Sequence, residues 1–249
     1  MKILKYKKGK KGKYSVFLED GREFILYEEV ILNYNLLINK DINEADINKI
    51  NELNNEYDVY YVALNSIKNR FKSIFELKDS LKKKEYPIDL IDKAVEKLIK
   101  QGYLNDRLYC KSYINTQILT TSYGPIKIKN ELLNKKIDID IINDELDVFT
   151  EELQLERIDK LINKFIKSNR NRGGYVLKQK IINDLKTKGY ELDVINKIID
   201  DYDFFNNSDI AKKEYDKLYK RYSSKYSGEE LKRKISEKMY MKGLSYEEE

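Results

Sequence analysis

Histidine and tryptophan are absent from the 249 residues, and there are only one cysteine, Cys110, and two prolines. Without histidine, the commonest general base and metal ligand is missing. One cysteine excludes an internal disulfide and a thiolate zinc cluster, and fits a reducing compartment, so the cytoplasm is the expected location. No apolar run approaches the roughly 18 residues that span a membrane, and the N-terminus, charged from Lys2, lacks the apolar stretch of a signal peptide. Gly9-Lys10-Lys11-Gly12-Lys13 is superficially like a phosphate loop but lacks both its glycine spacing and the Ser/Thr after lysine. Carboxylates abound without any ligand-spaced cluster. A binding protein is expected, with no cofactor and no catalytic site.

Apolar residues make up 41%, enough for a core, while 37% charged residues suit a surface-rich, elongated shape. Residues 1–13 carry seven lysines and no acid against a whole-chain charge of +5, so the remainder is slightly acidic. That asymmetry reads as a basic N-terminal arm, either solubilising or in contact with nucleic acid.

Residues 1–55 differ from the rest. Tyr14–Leu18 and Phe24–Leu26 flank Asp20-Gly21, a strong hairpin signal, and a tight primed turn is expected there. Ile3–Tyr6 is a possible third strand, and Asp41–Asn54 patterns as a short helix. Tyr6 and Tyr14 flank the arm, where they could stack on bases, but strand tyrosines usually pack and packing is the expectation.

From residue 57 a repeat takes over. With Leu81, Leu132, Leu185 and Met239 as anchors, Leu77, Ile128, Ile181 and Ile235 lie four residues before, one helical turn away. Tyr86, Ile137, Tyr190 and Leu244 follow at five, and Ile88, Ile139, Leu192 and Tyr246 at seven. Ile91, Ile142 and Ile195 come at ten, then Val95, Leu146 and Ile199 at fourteen, the stripe of a second helix. These recurring positions are expected to form core. An earlier helix precedes each anchor, marked by Tyr60/Ala63/Leu64, Leu108/Ile114/Ile118, Ile158/Leu161/Ile162 and Tyr215/Leu218/Tyr219. Each unit is therefore three helices, the fourth unit being partial.

Punctuation agrees with this scheme. Ser73-x-x-Glu76 is a capping box, Gly124-Pro125 opens the next middle helix, and Gly189 and Gly243 suit left-handed helix ends. Gly173-Gly174 and Ser227-Gly228 sit about a turn earlier relative to their anchors, so those two middle helices should be longer. The expected organisation is a cap (1–55), three repeats (56–104, 105–150, 151–205) and a partial fourth (206–249). The fold class is mainly α, with tandem three-helix repeats in an extended array.

Two stretches carry more than periodicity. Gly102–Ile114 resembles the segment joining the first two units of the RecX family of recombination regulators, and Gly124–Asp138 resembles that family's middle unit. Ser73-x-x-Glu76-Leu77-x-x-x-Leu81-x-x-Lys84 is similar to its first-unit helix. The resemblance runs from about residue 14 to about residue 200. It implies a monomer that binds the RecA recombinase filament on single-stranded DNA and modulates it, usually by inhibition, without chemistry. The chain departs from shorter members in its partial fourth unit and lysine-rich arm, and in having Glu85 where glycine is usual.

Lys84, Lys135, Lys188 and Lys242 recur three residues after each anchor. They either complement helix C-termini or line one side of the array as a row facing the partner. Lys7, Lys8, Lys10, Lys11 and Lys13 of the arm, and Arg170 and Arg172 of a loop, are further candidates for partner or DNA contact. A stand-alone DNA-binding architectural protein is the alternative reading.

Overall fold

The computed structural model describes residues 1–169, 173–204 and 208–244. The chain divides into two compact units, one of Met1–Tyr109 with Lys135–Ile137, the other of Cys110–Asn134 with Asp138–Glu249.

The first unit begins with a three-stranded antiparallel sheet, β1 (Ile3–Lys8), β2 (Lys13–Leu18) and β3 (Glu23–Tyr27), in the order β1-β2-β3. The expected basic arm is thus an ordered hairpin. Gly9 donates to the Lys13 carbonyl at 2.8 Å, and Lys11 and Gly12 take positive φ to reverse the chain. The second reversal differs from the primed two-residue turn expected at Asp20-Gly21. Leu18 N–H bonds Arg22 O at 3.0 Å and Gly21 N–H bonds Leu18 O at 3.2 Å, closing a three-residue loop with Gly21 at φ 87°.

Two short helices then follow that the pattern did not show, α1 (Glu28–Asn33) and α2 (Leu36–Asn39). They carry Val30, Ile31 and Leu36 into a core with Val16, Leu18, Leu26, Ile42 and Ile50. The short helix expected at 41–54 is instead the start of α3 (Ile47–Asn69), 23 residues long. One helix therefore serves both the cap and the first repeat: Ile50 packs in the cap core, Val59 and Ala63 in the repeat core, and Tyr57 and Tyr61 against both. The remainder of the first repeat is α4 (Ile74–Lys82) and α5 (Ile88–Lys100).

Then come α6 (Asp106–Thr120), α7 (Pro125–Asn134), α8 (Ile139–Leu146), α9 (Glu151–Ser168), α10 (Gly174–Thr187), α11 (Leu192–Ile199), α12 (Ser208–Tyr222) and α13 (Gly228–Tyr240). The middle helices α10 and α13 have 14 and 13 residues against 9 and 10 for α4 and α7, as the displaced glycines require. All four anchors and the residues four before them are at most 4% exposed. The positions seven after are not core. Ile88, Ile139 and Leu192 open their helices at 62%, 40% and 44% exposure, and Tyr246 lies outside the described residues. Leu108 is also exposed; α6 buries Tyr109, Cys110 and Ile114 instead.

The residue four after each anchor adopts a left-handed conformation in all four repeats: Glu85 (φ 64°), Lys136 (57°), Gly189 (89°) and Gly243 (70°). Each ends its middle helix, and the last two do so with the residue that makes this cheap. A Cβ in this region costs about 1–2 kcal/mol. Glu85→Gly is therefore expected to stabilise the protein by about 1 kcal/mol, part of the relief being returned as chain entropy. Urea melts of the two proteins check this, and equal midpoints would show that Glu85 compensates elsewhere.

Candidate partner and nucleic-acid interface

The recurring lysines owe their placement to the joints between repeats. In the first unit, α4 opens with the expected capping box, Glu76 N–H to Ser73 Oγ and Ser73 N–H to Glu76 Oε2, both at 3.1 Å. Ser73 Oγ also donates to the carbonyl of Lys135, the residue after α7, at 3.2 Å. In the second unit, Gly124 N–H and Ile126 N–H at the start of α7 donate to the carbonyls of Lys188 and Gly189 after α10, at 2.7 and 3.1 Å. At the start of α10, Gly173 N–H donates to the carbonyl of Lys242 after α13, at 3.0 Å. Twice, the end of one repeat's middle helix satisfies orphan N–H donors at the start of the previous one, and at α4 the capping hydroxyl of Ser73 makes the corresponding bond.

The lysine side chains are mostly drawn into this framework. Lys135 Nζ lies 2.6 Å from Glu76 Oε1, both largely buried. Burial works against the Glu76 charge, yet bonds from Lys135 and Ser73 outweigh it and hold its carboxyl below the usual range. Burial likewise opposes the Lys135 charge, and Glu76 and Tyr109 more than compensate, raising its pKa. Beside this pair, the half-buried carboxyl of Asp106, which accepts from Ile74 N–H at 2.8 Å, is pushed up by burial and by Glu76. Lys188 sits 3.4 Å from Asp184, and Lys242 pairs with the buried Glu214. Lys84 alone of the four is exposed, and its side chain makes no ion pair among the described residues. The four lysines thus differ in availability although they share a register.

The hairpin lysines fall into two groups. Lys13 Nζ bonds Asp58 of α3 at 2.8 Å and lies 4.7 Å from the Tyr27 ring centre. Tyr27 and Tyr86 hydroxyls donate to the same carboxylate at 2.9 and 3.1 Å. Burial disfavours the Asp58 charge, but these three donors prevail and its pKa falls below the ordinary value. Lys13 therefore helps to fasten the hairpin to α3. Lys7, Lys8, Lys10 and Lys11 are exposed and without ion pairs among the described residues. Tyr6 packs inward, its hydroxyl on Leu36 O at 2.8 Å, and Tyr14 lies against the cap core. Arg170 and Arg172 lie outside the described residues.

One residue that pattern reading passed over organises the second unit. Arg157 of α9 reaches the end of α6, giving Nη bonds of 2.7 Å to the carbonyls of Ile118 and Thr121, and its Nε bonds the Tyr190 hydroxyl at 3.2 Å. Nothing in the sequence separates it from any other helix-surface arginine. Among the described residues, no group of three or more His, Cys, Asp or Glu is placed to hold a metal ion, and no helix is long and apolar enough to cross a membrane.

Two family models match. Residues 60–98 match "RecX, first three-helix domain" and residues 105–146 match "RecX, second three-helix domain". Regulatory protein RecX of Listeria monocytogenes serotype 4a (strain HCC23) is 31% identical over 241 residues, spanning 95% of this chain and 89% of the relative. That of Bacillus velezensis is 28% identical over 95% of this chain and 91% of its own length. A crystal structure of a regulatory protein RecX superposes with a TM-score of 0.72 at 29% identity, covering 81% of this chain and 99% of that one. RecX from Lactobacillus salivarius gives 0.56 at 31% identity, over 59% and 96%. With its two matched three-helix domains set between a small sheet and further helices of the same kind, and with likeness running nearly end to end, this chain belongs to the RecX family of regulatory proteins.

Proposed function

We propose that the protein binds the RecA recombinase filament on single-stranded DNA and lowers its ATPase and strand exchange by occupancy, without chemistry of its own. It acts as a cytoplasmic monomer. The observation that carries this is the pair of matched domains over residues 60–146 in a chain similar to regulatory proteins along nearly its whole length. A repeat array offers a long surface, which suits a polymer whose own sites repeat.

The test is titration of the purified chain into a cognate recombinase with single-stranded DNA. ATP hydrolysis should fall as the chain approaches the filament's site concentration, and Lys84→Glu should weaken the effect without lowering the melting temperature. Lys84 is the informative lysine, because reversing Lys135 would set two buried carboxylates together and perturb folding first. Unchanged ATPase and strand exchange at large excess would remove the proposal. A second reading, direct binding of nucleic acid, is favoured by the exposed, unpaired lysines of the hairpin.

A further inference from the structure

We propose that the outer face of the N-terminal sheet is a docking surface for single-stranded nucleic acid, with a base stacked on Phe17 and phosphates along Lys5, Lys7 and the hairpin tip. This deepens the nucleic-acid reading and does not depend on the filament reading.

The alternation of β2 fixes the geometry. Val16 and Leu18 are buried at 0% and 2%, so Ser15 and Phe17 project from the opposite face. The strand pairing sets two rows across that face, Lys7–Ser15–Ile25 and Lys5–Phe17–Glu23. Phe17 is partly exposed, Ile25 is 57% exposed, and the ammonium of Lys5 lies over the Phe17 ring face, 4.7 Å from its centre. At one end the face passes into the turn that carries Lys8, Lys10 and Lys11, all three exposed. Glu23 is the one acid in the two rows. The five lysines have no carboxylate partner among the described residues, although Lys13 two positions on is paired.

These features select the occupant. Unpaired ammonium groups call for a polyanion, and alternate strand residues stand about 6.8 Å apart, a repeat that an extended backbone can follow. Once the Lys5 ammonium swings from the ring face to a phosphate, the partly exposed phenyl ring of Phe17 offers a stacking platform, which only unpaired bases can use because a duplex hides their faces. An acidic polypeptide would satisfy the lysines but would leave Phe17 and Ile25 without a use. Lysines on the edge strand β1 also discourage edge-to-edge pairing, a role that predicts no ligand.

The experiment is fluorescence anisotropy with the full chain and no recombinase, using oligo-dT, oligo-U, a duplex and a polyglutamate peptide at 50 and 200 mM salt. Both single strands should bind in preference to the duplex and the peptide. Phe17→Ala should weaken them about tenfold, within the range of one base stack. Phe17→Tyr should retain binding, and a melting curve for each variant tests folding. Lys5→Gln with Lys7→Gln should flatten the log–log salt slope by about 1.4, two phosphates' share for a single strand. Duplex or peptide binding as tight as single strands overturns the proposal, as does wild-type affinity in a folded Phe17→Ala protein. So does a Lys5/Lys7 double variant that aggregates yet binds normally. Loss of the filament effect in a protein that still binds oligo-dT would sink the filament reading and leave this one standing.

Discussion

Gly189→Ala should lower the stability of the second unit by about 3 kcal/mol or more. Two costs combine at this position. The backbone is left-handed, φ 89°, where a Cβ costs about 1–2 kcal/mol. The added methyl would also stand 2.4 Å from Lys127 N and 2.6 Å from Lys127 Cβ, atoms belonging to the first turn of α7. Moving α7 away is not free, because Gly124 and Ile126 donate to Lys188 and Gly189 across the same gap. Gly228→Ala is the control. Gly228 also has positive φ, 58°, but its Cβ would meet nothing within 4 Å, so only the conformational cost of about 1–2 kcal/mol applies. Urea denaturation of both variants separates strain from close approach. Equal losses would show that the joint yields and that the repeats are not locked together here.

The joint also shows what periodicity can and cannot reveal. The anchors, the capping box at Ser73 and the longer α10 and α13 were all legible, because each follows from spacing along one helix. Gly189 and Gly243 were legible as left-handed helix ends, and the structure extends that conformation to Glu85 (φ 64°) and Lys136 (φ 57°). What spacing could not reveal is where a residue's backbone goes once its helix ends. Lys135, Lys188 and Lys242 read as helix-terminal cations or as one row facing a partner, yet it is their carbonyls that do the equivalent work. Their ammonium groups go to Glu76, Asp184 and Glu214, which stand in different places in their repeats.

Ile88, Ile139 and Leu192 show the same limit in reverse. They recur as faithfully as core residues do, but each is the first residue of a helix, before the chain has turned inward. In the cap, α1 and α2 total ten residues, too short for a helical period to emerge. The hairpin lysines were legible as a charge cluster. Which were engaged was not, since Asp58 lies 45 residues beyond Lys13.

Arg157→Ala should cost about 3 kcal/mol, and Arg157→Lys should recover less than half of the loss. The guanidinium of Arg157 serves four acceptors at once: the carbonyls of Ile118 and Thr121 at 2.7 Å each, the Tyr190 hydroxyl at 3.2 Å and, more weakly, the Tyr123 carbonyl at 3.4 Å. The carbonyls stand at the end of α6, where the chain turns into the Tyr123-Gly124-Pro125 segment that opens α7, so Arg157 braces the approach to the same joint from the α9 side. Charge-assisted bonds of this kind contribute about 1.5–3 kcal/mol each at most, and removal leaves half-buried carbonyls that water reaches only in part. A lysine ammonium cannot span acceptors set apart by a planar fork, which is why the conservative change should fail. Tyr190→Phe should cost about 1 kcal/mol alone and less in the Arg157→Ala background, because the hydroxyl then has lost its donor. Denaturant melts of the four proteins complete the cycle. Full stability in Arg157→Lys would show that one bond, and not the fork, is what α6 requires.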